Sequence, residues 1–208
     1  MGIDRNRRPI AARSSGWAVS LSQALARSSI TPNQISLLSV FFAAVGAAVV
    51  CWVLSVPALL LCAVSVQLRL ACNLLDGMVA MEGGQKTATG PLYNEFPDRV
   101  ADTLLIVALG YAAGYPWLGW LGALLAALTA YVRVFGGSLG LEQDFRGPMA
   151  KQHRMAVLTV ACLVGAVELH VNGTRYSLRA AAVLIAAGSL WTCVSRSRSI
   201  ASDLRQQG

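Results

Sequence analysis

The chain carries six long apolar runs separated by short polar links, at about 32–53, 57–81, 91–113, 117–140, 151–169 and 177–195. A helix needs about 20 apolar residues to cross a bilayer, and each run is near or above that length. Only 13% of the 208 residues are charged and 55% are hydrophobic, whereas a soluble domain carries roughly 25% charged residues. Lipid is therefore the expected solvent. The fold class that follows is an all-α integral membrane protein with six transmembrane helices and no room for a separate soluble domain. Residues 31–208 form that membrane domain, and residues 1–30 form a basic start and an interfacial helix.

Local signals place the ends of the runs. Thr31 followed by Pro32 reads as an N-cap with proline in the first helical turn. Pro57 and Pro91 open the second and third spans, and Gly114-Tyr115-Pro116 separates the third from the fourth. Residues 15–28 bring Trp17, Leu21, Ala24, Leu25 and Ser28 onto one helical face, with Arg27 away from it. That pattern suits an amphipathic helix lying in the membrane interface. Residues 1–30 lack the long apolar core of a cleavable signal peptide. The five cysteines, Cys51, Cys62, Cys72, Cys162 and Cys193, all lie in apolar stretches without a C-x-x-C pair, so they read as packing residues.

The formal net charge is +7. In a soluble protein such a surplus points to nucleic acid, but here the bases fall mostly outside the apolar runs. They fit the positive-inside bias and an anionic lipid surface instead. With the N-terminus inside, the cytoplasmic segments hold Lys86, Arg146, Lys151, Arg154, Arg196, Arg198 and Arg205, and the outer links hold only Arg175 and Arg179. The expectation is a multi-pass protein of the cytoplasmic membrane with both termini inside.

The acids are concentrated. Asp76, Glu82, Glu95, Asp98 and Asp102 are five of the chain's ten carboxylates. Carboxylates near a membrane are costly and rarely cluster without a cation or a proton to hold. Asn73 and Asp76 are three apart, and Asp98 and Asp102 four apart, so each pair shares a helix face. Two helices can thus aim oxygen ligands at one point. Oxygen donors without nearby His or Cys suit a hard divalent ion, Mg²⁺, Mn²⁺ or Ca²⁺. Magnesium typically combines few carboxylates with substrate phosphates, so a phosphorylated substrate is indicated. Gly77, Ala80, Gly83, Gly84 and Gly90 leave room beside these acids for a close approach. A second polar patch, Lys151 and Arg154 at the start of the fifth span with Arg133 inside the fourth, can receive an anion at the same depth.

Asp76-Gly77-x-x-Ala80, then Gly90, then Asp98-x-x-x-Asp102 resembles the CDP-alcohol phosphotransferase signature, Asp-x-x-Asp-Gly-x-x-Ala-Arg followed after a link by Gly-x-x-x-Asp-x-x-x-Asp. The interfacial helix and six spans are similar too, so the resemblance extends over nearly the whole chain. Three departures stand out. Asn73 replaces the first Asp, Met81 replaces the Arg, and Gly90 to Asp98 is eight positions rather than four. Strict spacing makes Asn94 the third acid and Asp98 the fourth. The alternative, preferred because it keeps two carboxylates, makes them Asp98 and Asp102 with one extra helical turn inserted.

The resemblance implies transfer of a phosphatidyl group from CDP-diacylglycerol to the hydroxyl of a polar alcohol, with release of CMP and dependence on one or two Mg²⁺ or Mn²⁺ ions. It implies Asn73, Asp76, Asp98 and Asp102 as metal ligands, Asp98 and Asp102 as catalytic residues, and Asp102 as general base. Gly77, Ala80 and Gly90 would border the nucleotide, with Lys86 or Arg99 standing in for the absent Arg. Arg133, Lys151 and Arg154 would bind the acceptor, which glycerol 3-phosphate or an inositol phosphate would suit. A homodimer is also implied. Two other readings stay open on the residues alone: a cation or proton transporter using the same carboxylates, and a catalytically degenerate member of the family.

Overall fold

The computed structural model describes residues 14–81, 83–85 and 87–207. The basic start over residues 1–13, Glu82 and the candidate residue Lys86 lie outside the described residues. Seven helices account for almost all of the rest: α1 (Gly16–Ala26), α2 (Pro32–Trp52), α3 (Val56–Met81), α4 (Gly90–Ala113), α5 (Pro116–Ser138), α6 (Lys151–Asn172) and α7 (Tyr176–Gln207). Five of them, α2, α3, α5, α6 and α7, are long and apolar enough to cross a membrane. This all-helical, multi-pass architecture agrees with the sequence reading. The α4 helix falls outside the set because it carries Glu95, Asp98, Arg99 and Asp102.

The boundaries have local causes. Thr31 and Gln34 form a reciprocal capping box: the Thr31 hydroxyl accepts from the Gln34 N–H at 3.3 Å, and the Gln34 side chain accepts from the Thr31 N–H at 2.9 Å. The Ser55 hydroxyl accepts from the Ala58 N–H at 3.3 Å and starts α3. Gly114 ends α4 in a left-handed conformation, φ 80°, which costs glycine nothing. Pro116 then opens α5. At this turn a Cβ on Gly110 would lie 2.5 Å from the Gly119 Cα, so the α4–α5 hairpin closes backbone against backbone.

One expectation shifts. The α7 helix was expected to end near residue 195 and runs to Gln207. No glycine or proline interrupts residues 189–207, and Arg196 ties the segment down by donating to the Thr129 carbonyl at 2.7 Å and the Arg146 carbonyl at 2.9 Å. In α1 the residues turned inward are Ala18 and Ser22, with Ala18 packed on Leu74 and Met78 of α3, while Trp17 and Leu21 are exposed.

The core is built from α2–α7, with Leu59, Val66, Leu105, Ile106, Met155, Leu158, Leu178 and Ile185 almost fully buried. The outward faces carry large apolar side chains such as Phe41, Leu124, Trp120, Val167 and Leu184. Successive hairpins bring one end of the bundle together: the start of α2, the end of α3, the first half of α4, the end of α5, the start of α6 and the late turns of α7. Every polar side chain discussed next lies at that end.

Candidate active site

The α3 helix brings Arg69, Asn73 and Asp76 to one face, at intervals of four and three residues. The α4 helix faces it with Asp98 and Asp102. The two meet directly: the Asn73 amide donates to Asp98 Oδ1 at 2.8 Å. Asp76 is buried, and its Oδ2 accepts from the Ser36 hydroxyl at 2.5 Å. Its Oδ1 is buried without a hydrogen-bond partner, although its charged neighbours include Lys151 and Asp98. The Lys151 ammonium, from the first turn of α6, donates to Asp98 Oδ2. Arg99 lies 3.6 Å from the same oxygen.

Below this layer is a fully buried ionic triad. Asp102 Oδ1 accepts from Arg69 Nη2 at 2.6 Å, and Oδ2 accepts from Arg154 Nη2 at 2.8 Å. The side chains of Arg69, Arg154 and Asp102 are 0%, 1% and 4% exposed. Arg154 also donates to the Met149 carbonyl at 2.7 Å and to Thr129 Oγ1 at 3.3 Å. Arg69 reaches Asp98 Oδ1 at 3.4 Å, so it bridges the two acids of α4. Taking two charges out of water costs several kcal/mol per ion, and only this mutual pairing makes the interior tolerable for them.

A third cluster forms the rim. Arg133 of α5 donates to both oxygens of Glu95 at 2.8 and 2.7 Å and to Gln143 Oε1 at 2.5 Å. Its guanidinium also lies over the Phe145 ring, 5.3 Å from the centroid.

The sequence-derived residues thus fall into three environments. Asn73, Asp76, Asp98 and Lys151 share one cluster. Asp102 and Arg154 are bound to each other beneath it, so two of the expected ligand, base and acceptor groups have their charged atoms already taken. Arg133 stands at the rim on Glu95, so each of the three bases expected to bind the acceptor is paired with a different carboxylate: Arg133 with Glu95, Lys151 with Asp98 and Arg154 with Asp102. Ala80 and Gly90 are half-buried, and Asn94 is exposed. Sequence reasoning did not single out Arg69 and missed its place in the triad. Its signal was a cation inside an apolar span, four residues before Asn73. Ser36 gave no comparable signal.

The donor set fits a hard divalent ion. The buried, unpartnered Asp76 Oδ1, the Asp98 carboxylate and the Asn73 carbonyl supply oxygens only. Among the described residues no group of three or more His, Cys, Asp or Glu side chains is placed to hold a metal. An ion here would complete its shell from the substrate, the habit of magnesium at phosphate sites.

No protein-family model matches the chain. It is 30% identical over 193 residues to the archaetidylinositol phosphate synthase of Aeropyrum pernix, covering 91% of this chain and 92% of that one. The chain belongs to the CDP-alcohol phosphatidyltransferase family. A second member, the phosphatidylinositol phosphate synthase of Corynebacterium glutamicum, is 30% identical over 177 residues, 80% of this chain and 76% of the relative. The fold agrees with that of the Mycobacterium tuberculosis phosphatidylinositol phosphate synthase solved with CDP-DAG bound, at a TM-score of 0.74 and 19% identity over 89% of this chain and 94% of that one. The same enzyme in complex with manganese and citrate gives 0.72 and 20%, over 88% of both chains. As a CDP-alcohol phosphatidyltransferase, the chain is a membrane enzyme of phospholipid synthesis that transfers a phosphatidyl group from a CDP-linked lipid to an alcohol.

Proposed function

We propose that this phosphatidyltransferase uses CDP-diacylglycerol as donor and a phosphorylated polyol, an inositol phosphate or glycerol 3-phosphate, as acceptor. The observation that carries the reading is the meeting of α3 and α4 at Asn73, Asp76 and Asp98, where one buried carboxylate oxygen is left without a partner. Asp76 and Asp98, with the Asn73 carbonyl, hold Mg²⁺ or Mn²⁺. When bound, such an ion supplies positive charge to the diphosphate and to the departing CMP.

Asp98 takes the proton of the attacking hydroxyl in this reading, because its partners Lys151 and Arg99 reach the surface, whereas Asp102 is held by two fully buried arginines. That assignment favours strict spacing from Gly90, with Asn94 in the place of the third acid and Asp98 in that of the fourth. Asp102 positions Asp98 through Arg69. Gly77, Ala80 and Gly90 border the nucleotide, and Lys86 lies close enough in sequence to contribute. Lys151 and Arg133 meet the acceptor's phosphate. Arg154 stays with Asp102.

The membrane arrangement completes the proposal. The α4 helix is a sixth span: it has 24 residues, about 36 Å at 1.5 Å per residue, and its charges are paired within the bundle. Six spans leave both termini and the site on the cytoplasmic side, with α1 in the interface and Trp17 and Leu21 toward lipid. Residues 31–208 are the six-helix domain, and the working unit is a homodimer.

The test is CMP release and lipid formation by the purified protein in nanodiscs, with labelled CDP-diacylglycerol and a panel of phosphorylated and free alcohols. Transfer should require Mg²⁺ or Mn²⁺ and a phosphorylated acceptor. Asp76→Asn and Asp98→Asn should each abolish it while the protein still inserts. Full activity in either variant removes the metal assignment.

A further inference from the structure

Arg133, the rim cation assigned above to the acceptor's phosphate, is already paired. Both Glu95 oxygens and Gln143 accept from it, and Phe145 covers its face. The Glu95 side chain is 34% exposed, against 14% for Arg133, so the carboxylate lies on the solvent side of the pair. Arg99, one turn along α4, comes within 3.7 Å of Glu95. Glu95 therefore has a second partner within reach if it leaves the first, while Gln143 and Phe145 keep the guanidinium where it is.

We propose that Glu95 is a specificity-determining residue: a counter-ion that occupies Arg133 until an anionic acceptor displaces it. The inference rests on the reading that the acceptor carries a phosphate. A phosphate monoester carries about −1.5 to −2 charges at neutral pH, against −1 for a carboxylate, and it presents the bidentate oxygens a guanidinium prefers. It can take Arg133 from Glu95, which turns to Arg99. A neutral alcohol makes no such differential contact and cannot shift the pair. Glu95 thus raises the concentration of phosphorylated acceptor the enzyme needs and withholds Arg133 from neutral hydroxyl compounds.

The experiment is acceptor kinetics of the full chain in nanodiscs, with glycerol 3-phosphate and inositol 1-phosphate against glycerol and inositol. In Glu95→Gln the KM for the phosphorylated acceptor should fall roughly three- to tenfold, the range of a partly exposed, charge-assisted pair. The KM for CDP-diacylglycerol should stay constant. Direct titration of glycerol 3-phosphate should show the same gain in affinity, and the gain should vanish in an Arg133→Gln background. Glu95→Asp, which keeps the charge, should stay near wild type. An unchanged or raised acceptor KM in Glu95→Gln overturns the proposal, as does a drop of equal size in Glu95→Asp. If the wild type transfers only to neutral alcohols, the acceptor reading itself fails. If it transfers to a phosphorylated alcohol and Glu95→Gln changes nothing, only the counter-ion role fails.

Discussion

Asp102 and Asp98 are one helical turn apart on α4, yet the bundle gives them different surroundings. Asp98 is bound by side chains that also reach the surface, Lys151 and Arg99, with side-chain exposures of 24% and 22%. Asp102 is bound by two arginines that do not reach it. Substitution should separate the two. Asp102→Asn leaves the buried Arg154 without a counter-charge and Arg69 with only its longer contact to Asp98, a loss of about 3–5 kcal/mol for a broken buried pair. The expected outcome is a lower melting temperature in detergent and less folded protein, read by thermal denaturation with size-exclusion recovery. Replacing the whole triad, Asp102→Leu with Arg69→Met and Arg154→Met, should recover much of that stability, because apolar residues can replace a buried ionic group at little cost. Asp98→Asn should leave the melting temperature near wild type and remove transfer. The sequence made Asn73, Asp76 and Asp98 legible through their helical spacing. It did not distinguish Asp98 from Asp102, because their difference comes from Arg69 on α3 and Arg154 on α6, which only the packed bundle brings to α4.

At the scale of elements, the helices were readable from apolar length and from Thr31-Pro32, Gly114 and Pro116. The end of α7 was not, because its last turns are polar and its anchor, Arg196, bonds to carbonyls of α5 and the α5–α6 loop. The register between helices is set by residues with no side chain. A Cβ on Gly119 would meet the Gly110 Cα and the Val107 carbonyl oxygen, both at 2.9 Å. The helices must then part by several tenths of an ångström or more. Gly119→Ala should therefore destabilise the hairpin by about 1–3 kcal/mol, the usual cost of overpacking. It should also reduce transfer, since α4 carries Asp98 against Asn73 of α3. Melting temperature and CMP release measured on the same preparation check both consequences. Wild-type stability in Gly119→Ala would mean that the close approach does not fix the register.

For the whole molecule, the unequal charge of the two bundle ends is the feature to explain. The end away from the site carries Arg175 and Arg179, and both are used internally. Arg175 donates to the Ala112 carbonyl at 3.4 Å and Arg179 to the Ala113 carbonyl at 3.3 Å. These are last-turn carbonyls of α4, where a cation is favoured by the helix dipole. Arg179 also lies over Tyr115 and Tyr176, 5.5 and 5.7 Å from the ring centroids. Glu168 offsets part of this charge while accepting from the Ser177 N–H and hydroxyl at 2.9 and 2.6 Å. The opposite end keeps Arg198 and Arg205 on the extended α7, and Arg146 is exposed in the α5–α6 loop. An excess of Lys and Arg at the site end over the other is what the positive-inside bias requires of the proposed orientation. Single cysteines at Ser202 and Asn172, in a chain with its five native cysteines replaced by alanine or serine, test it with a membrane-impermeant maleimide. Ser202→Cys should react only in inside-out vesicles and Asn172→Cys only in right-side-out ones. Reaction of both from the same side would mean an even number of crossings between them. Full reversal of the pattern would put Asp76 and Asp98 on the outer face, away from the cytoplasmic pool of phosphorylated alcohols that the proposed acceptor chemistry needs.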